Sequence, residues 1–228
     1  MGWKTQTILI RPAGLDGGPE KLLAELGYGS PRKVSETSFA EAGAGSIWIG
    51  AIADCVILYT YLAGGFFGDE DRASNEFKTA LLQRFADAEV AALSLHSVVG
   101  AWGFAVYQRN SLIRHQDGYD GMVLRDEGPR LPAEEACLAR FERHDVNGTI
   151  IYRDPAHPEF DDMSDPDFGE ELVFEVCRSF TGFPLDQLEN VKGVNFWLSD
   201  EEEQLYTQRP ASNSAATDAA RPWWKFWG

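Results

Sequence analysis

The amino-acid sequence predicts an α+β protein, with a mixed, largely antiparallel sheet, helices packed on it and a flexible C-terminal tail. Short runs of apolar and β-branched residues indicate strands, and segments with apolar residues every three or four positions indicate helices. The chain has 228 residues, of which 44% are hydrophobic, and this is enough for one sizeable core. We therefore expect a single domain over residues 1–208, a flexible linker over 209–221 and an aromatic peptide over 222–228.

The predicted strands are bounded by glycine, proline, asparagine or aspartate. They cover residues 4–11, 46–51, 55–62, 91–96, 103–109, 111–116, 142–146, 149–153 and 193–198. The run 55–62 is almost continuously apolar, which is typical of a central strand covered on both faces. Asn147-Gly148 separates two strand runs and is the strongest hairpin signal in the chain. The closely spaced runs between 91 and 116 predict a meander.

The predicted helices combine apolar residues at helical spacing with residues that favour helix ends. They cover residues 20–26, 71–86, 132–141 and a segment that ends at Gly182. In this last helix, Asp165 is expected to cap the N-terminus and Pro166 to fit the first turn. Four apolar residues repeat along it and are expected to face the core: Phe168, Leu172, Val176 and Phe180.

The charge of the chain is strongly negative and unevenly distributed. The formal net charge is −16, and the segment 209–228 carries +2, which leaves −18 on residues 1–208. Such an acidic body repels the phosphates of nucleic acids and anionic lipids. We therefore expect no nucleic-acid partner and at most weak contact with a membrane surface.

Cysteine usage and the N-terminal residues predict a reduced, cytoplasmic protein. Cys55, Cys137 and Cys177 lie far apart and show neither a C-x-x-C pair nor zinc-finger spacing. The apolar run 7–10 is far too short for the core of a signal peptide. The acidic residues between 154 and 171 lack the spacing of a calcium loop, so we interpret them as a solvated loop with a helix cap. We expect neither a metal nor a cofactor.

The pair His96-Ser97 is the main candidate for chemistry, because it ends an apolar strand run beside glycine-rich turns, where pockets are common. As a general base, His96 would need a nucleophile and a carboxylate to orient it. The candidate nucleophiles are Ser97, Cys55 and Ser94, and the candidate carboxylate is Asp54. The default interpretation is that His96 and Ser97 satisfy backbone groups at a strand end, since no complete triad pattern accompanies them.

Arg114 and His115, together with Arg125 and Arg130, form a second candidate, a site for an anionic ligand in an otherwise acidic protein. The default interpretation is again structural, because such residues most often neutralise neighbouring carboxylates.

Four short motifs lie along the body of the chain. They are Met1-Gly2-x-Lys4-Thr5, the run from Leu95-His96-Ser97-Val98-Val99 to Gly103-Phe104-Ala105-Val106, Asp126-Glu127-Gly128-Pro129-x-Leu131-Pro132, and Gly169-Glu170-Glu171. Together they resemble a family of uncharacterised bacterial proteins, known only as a domain of unknown function. The resemblance spans roughly residues 1–200, without the aromatic tail. It implies a bacterial cytoplasmic domain and includes His96 and Ser97 in its pattern, with no role for either.

The C-terminal segment carries the clearest functional signal. Residues 211–220 are rich in Ala, Ser, Asn and Thr and cannot bury enough apolar surface to offset the entropy of ordering them. The aromatic side chains that follow are Trp223, Trp224, Phe226 and Trp227. Their large apolar area favours binding to the body of the same chain or of a second copy in a homodimer, to another protein, or to a membrane interface.

These observations predict a non-catalytic interaction or regulatory module that uses its aromatic C-terminal peptide for recognition. The alternative is a small hydrolase-like or ligand-binding enzyme with a site around His96. The burial of His96 distinguishes the two, because a fully packed imidazole excludes the alternative.

Overall fold

The structure, a computed structural model, describes residues 4–68, 71–159 and 161–200. Within these ranges the chain forms a nine-stranded sheet, a three-stranded sheet and four α-helices. This confirms the predicted α+β class. All pairs of described strands are antiparallel, so the large sheet is not mixed. The predicted linker 209–221 and aromatic peptide 222–228 lie outside the described residues.

The described strands, numbered in chain order, belong to two sheets. They are Lys4–Arg11 (β1), Arg32–Ser38 (β2), Ile47–Ile52 (β3), Cys55–Thr60 (β4), Glu89–His96 (β5), Ala101–Gln108 (β6), Ser111–Tyr119 (β7), Met122–Glu127 (β8), Glu142–Val146 (β9), Thr149–Arg153 (β10), Met163–Ser164 (β11) and Lys192–Trp197 (β12). The large sheet has the order β2-β12-β3-β4-β1-β5-β6-β7-β8, and the small sheet has the order β11-β10-β9. β8 is therefore an edge strand of the large sheet, at the opposite edge from β2.

The α-helices are Gly18–Glu25 (α1), Arg72–Arg84 (α2), Pro132–Leu138 (α3) and Gly169–Thr181 (α4). The Asp71 side chain caps α2 by accepting the Ser74 N–H at 2.9 Å. The predicted cap at Asp165 is wrong, because a 3-10 turn over Asp165–Phe168 precedes α4. Gly182 ends α4 as predicted, with a left-handed φ of +81° that favours glycine.

Two apolar layers cover the large sheet, because successive side chains of its strands point to opposite faces. One face, here called the α2 face, packs Ile8, Ile10 and neighbouring strand residues against α1 and α2. The opposite face, here called the α4 face, packs Leu9, Ile57 and neighbouring strand residues against α4 and the small sheet. β4 is buried from both sides, as its continuous apolar run predicts.

Helix α4 packs directly on the sheet, with the predicted residues Phe168, Leu172, Val176 and Phe180 buried. Its first residue, Gly169, lies so close to Trp102 of β6 that a Cβ atom would come within 2.1 Å of the indole ring. A glycine at the start of α4 therefore allows the helix backbone to reach the sheet.

Candidate functional site

One end of the large sheet brings together segments that are distant in sequence. Lys4 of β1 pairs with His96 of β5, and His96 pairs with Ala101 of β6. Tyr119 of β7 pairs with Met122 of β8 at the same end. We call this region, where β5 and β7 end and where β1, β6 and β8 begin, the β8 end of the sheet.

His96 is the last residue of β5, and its imidazole is half-buried. Ser97 begins a 3-10 turn that runs over Ser97–Val99 and ends at Gly100, which has a left-handed φ of +64°. The Gly100 carbonyl accepts the Asp120 N–H at 3.2 Å. This bond joins the His96 segment to the turn between β7 and β8. His96 is therefore only partly packed, and the site predicted around it stays a hypothesis.

Cys55 and Asp54 lie at the other end of the sheet from His96. The partner of His96 on β1 is Lys4, whereas Val56 pairs with Ile10. Six residue steps along a strand correspond to about 20 Å. The predicted grouping of His96 with Cys55 and Asp54 is therefore corrected, because the strand register keeps them apart.

The environment of the Cys55 thiol is also unsuited to nucleophilic attack. The side chain is fully buried on the α4 face. Desolvation raises the pKa of this thiol to about 11, and a protonated thiol is a poor nucleophile.

A polar row crosses the α2 face near the β8 end. Its members are paired across five neighbouring strands: Gln6, Ser94, Gly103, Asp117 and Arg125. A Cβ atom on Gly103 would lie 2.9 Å from the Cβ of Asp117 and 3.2 Å from a ring carbon of Phe67. The missing side chain at Gly103 thus makes room for Asp117 and Phe67 above the sheet.

Asp117 belongs to a chain of three ionisable side chains. The Arg125 Nη1 donates to His115 Nδ1 at 3.2 Å, which places the imidazole proton on Nε2. The Nε2 atom lies 2.8 Å from Asp117 Oδ2, but the alignment of the two groups is poor for a hydrogen bond. His115 and Asp117 are almost fully buried, whereas Arg125 remains 39% exposed. Arg125 therefore connects two buried polar side chains with the surface.

Arg114 points to the α4 face and has a structural role there. Its Nε and Nη2 donate to the two carboxylate oxygens of Glu134 at 2.9 and 2.8 Å. Its Nη1 donates to Asp126 and to the Glu127 and Gly128 carbonyls. Desolvation opposes the charge of Arg114, but the bonds to Glu134 and Asp126 outweigh it and raise the pKa. Because every nitrogen of the guanidinium is engaged, these contacts favour the structural interpretation over the ligand site.

The β8 end also exposes apolar side chains. Val98 is 77% exposed, Met122 55% and Leu124 54%, and Tyr119 is partly exposed. We call these four residues the β8 strip. Val98 belongs to the turn bonded through Gly100 to Asp120, next to the Tyr119–Met122 pair. The strip thus extends from the end of the sheet onto its edge strand.

Several of the acidic residues between 154 and 171 accept hydrogen bonds from nearby residues. Asp162 accepts two hydrogen bonds from Arg153 at 2.9 Å, and this hydrogen bonding lowers the Asp162 pKa. Asp167 accepts the Ser164 N–H and hydroxyl. Within the described ranges, no group of three His, Cys, Asp or Glu side chains is placed to hold a metal ion.

The polar row and the β8 strip include residues that the sequence analysis did not single out, among them Gln6, Asp117 and Met122. One signal was available, since four consecutive polar residues, Arg114 to Asp117, interrupt the predicted strand after residue 113. A strand that is polar on both sides and still buried requires partners on both faces. The predicted partner-binding residues Trp223, Trp224, Phe226 and Trp227 lie outside the described ranges.

In the part of the chain that the structure describes, none of the helices is both long and apolar enough to cross a membrane. No family model, curated protein or solved structure matches the chain. The resemblance to the uncharacterised bacterial family therefore stays a prediction.

Proposed function

We propose that this chain is a non-catalytic interaction domain that binds other proteins, or a second copy of itself, through the β8 strip and the aromatic peptide 222–228. The observation that carries the proposal is the exposure of Met122 and Leu124 on the edge strand β8 and of Val98 in the turn at the adjoining end of the sheet. Contiguous exposed apolar side chains at an edge strand commonly mark interaction sites, because water solvates them poorly and the edge offers unpaired backbone groups.

The composition of the peptide supports the same function. Trp223, Trp224 and Trp227 are of the residue type most often found at the centre of protein interfaces. The charge of −18 on residues 1–208 favours partners that are neutral or basic and disfavours nucleic acids and anionic membranes. A regulatory role in the cytoplasm, as the sequence predicts, agrees with a domain of this kind.

The test compares the wild-type chain with two full-length variants. One replaces Met122 and Leu124 by lysine, and the other replaces the four aromatic residues of the peptide by serine. Proteins captured by the wild-type chain are purified and titrated one by one, and light scattering gives the mass of each chain. We expect at least one complex or homodimer that both variants weaken tenfold or more.

Val34→Lys is the matched control, because Val34 is exposed on the opposite edge strand β2. This control should bind as the wild-type chain does. Equal affinities and equal masses for all four chains would remove the proposal.

A second candidate function is a ligand-binding or hydrolytic site on the α2 face at the β8 end. The specific observation is that Ser94 and His96, both half-buried, lie two residues apart on the same face of β5. Ser94 belongs to the polar row that also holds Asp117 and Arg125. Hydrolysis of a p-nitrophenyl ester by the wild-type chain, lost in both Ser94→Ala and His96→Ala, would support this function. Unchanged hydrolysis in the two variants, or none above buffer in the wild-type chain, would contradict it.

A further inference from the structure

We infer that the β8 strip is the intramolecular binding site of the chain's own aromatic peptide, residues 222–228, so that the domain inhibits itself until a partner displaces the peptide. The inference rests on the proposed function and specifies what occupies the strip in the isolated protein. It is argued from the place where the described chain ends, the length of the following segment and the charges on both sides.

The described chain ends at the same end of the sheet as the strip. β12 leads into residue 200, and its Phe196 pairs with Ile47, the first residue of β3. Ile47 in turn pairs with Thr60, the last residue of β4. The end of β4 lies beside the beginning of β1, because Tyr59 pairs with Thr7. Lys4, the first residue of β1, pairs with His96, the last residue of β5. The described part of the chain therefore ends on the side of the sheet where the β8 strip lies.

The distance across the sheet is within reach of the tail. β12 and β8 are seven strand intervals apart in the large sheet, which corresponds to about 34 Å at the usual strand spacing. The segment 201–221 has 21 residues; fully extended, a chain of this length spans about 70 Å. A flexible coil of 21 residues has a root-mean-square end-to-end distance of about 25 Å. A peptide on such a leader has an effective concentration on the order of 1 mM at a site in this range.

Charge also favours this occupant. The segment 209–228 carries +2, whereas residues 1–208 carry −18. Arg221 and Lys225 flank the rings of the peptide, and the exposed Asp120 lies in the turn between Tyr119 and Met122 of the strip. The acidic body thus attracts the basic segment 209–228, while a second acidic body is repelled.

Occupation of the β8 strip by the chain's own aromatic peptide has a functional consequence. A free partner has to compete with a peptide present at millimolar effective concentration, so the isolated domain binds weakly and a partner that captures the peptide exposes the strip. Both recognition elements then become available in the same step.

The probe is a fluorescein-labelled synthetic peptide with the sequence of residues 217–228, titrated by anisotropy. The receptors are the wild-type chain and a full-length variant, called tail-silent, in which Trp223, Trp224, Phe226 and Trp227 are serine. We expect the tail-silent chain to bind the peptide at least tenfold more tightly than the wild-type chain does. Adding Met122→Lys and Leu124→Lys to it should weaken binding at least tenfold, whereas adding Val34→Lys should leave it unchanged.

Urea unfolding of each chain verifies that the substitutions leave the domain folded. The inference is overturned if the tail-silent chain does not bind the peptide, or if the lysines at 122 and 124 have no effect on binding. A wild-type mass of two chains that becomes one chain in the tail-silent variant would also overturn it in favour of tail exchange in a dimer. If the chain still forms a complex that the Met122/Leu124 and aromatic-peptide variants weaken, any of these results overturns only the self-occupation of the strip and leaves the proposed function standing. The failure of this inference can therefore be told apart from the failure of the proposed function.

Discussion

Arg114 and Glu134 form a buried ion pair that ties β7 to the first turn of α3. Two nearly parallel hydrogen bonds of 2.9 and 2.8 Å join the guanidinium to the carboxylate, and both side chains are almost fully buried. Glu134 also accepts the Leu131 N–H at 2.8 Å. The pair therefore fixes the helix N-terminus against the sheet just behind the β8 edge.

Glu134→Gln should lower the free energy of unfolding by about 3 kcal/mol, because it leaves the buried Arg114 charge without its main partner. Urea unfolding measures this loss. Glu76→Gln is the control, since it removes an exposed ion pair with Arg72 at 2.7 Å and should lower the free energy of unfolding far less. Losses of equal size in the two variants would contradict a structural role for the Arg114–Glu134 pair.

Stability should fall as the pH rises above 9, because burial raises the pKa of the Cys55 and Cys177 thiols to about 11 and about 12 from the ordinary value of 9.0. Between pH 9 and pH 11 the unfolded chain loses these protons and the folded chain keeps them. Each thiol then contributes a loss of about 1.4 kcal/mol per pH unit. Below pH 9 both states bind the protons, so this contribution is constant.

The measurement is urea unfolding from pH 8 to pH 10.5 for the wild-type chain and Cys177→Ala. The substitution leaves a cavity that lowers stability at every pH, but it should also make the slope above pH 9 less steep by about 1.4 kcal/mol per unit. Parallel curves for the two chains would show that the Cys177 thiol does not titrate with unfolding.

Gly169→Ala should destabilise the protein by about 2 kcal/mol despite the better helix propensity of alanine, because the added methyl group meets the Trp102 ring. Thermal unfolding tests this. Gly29→Ala serves as the control, since a Cβ atom at Gly29 meets nothing within 4 Å. If the two variants are equally stable, α4 does not pack on Trp102 as closely as described.

Much of the fold could be predicted from local patterns. Strand β1 and the hairpin of β9 and β10 have the predicted bounds, because the β-favouring Thr and Ile of β1, the Pro12 that follows it and the Asn147-Gly148 turn are local signals. Strands β2 and β8 were missed. Both are edge strands with mostly exposed side chains, so neither shows the apolar pattern of a buried strand. The insertion of β12 between β2 and β3 depends on pairing between distant segments, which no local pattern specifies.

The candidate site was predictable only in part. The sequence pointed to His96 as the end of a strand, and the structure places it there, half-buried. The separation of Cys55 from His96 follows from the register of β1 with β4 and β5, which sequence spacing does not reveal. The β8 strip depends on which strand lies at the edge, and this is again a property of the whole sheet.

The oxidation rate of Met122 by hydrogen peroxide tests most directly whether the β8 strip is a binding surface covered by the aromatic peptide. The rate is followed by peptide mass spectrometry in the wild-type chain and in the tail-silent variant, with the half-buried Met163 as internal reference. A covered thioether reacts more slowly than an exposed one. Met122 should oxidise several-fold more slowly in the wild-type chain than in the tail-silent variant, with equal rates at Met163. Equal Met122 rates in the two chains would contradict the account.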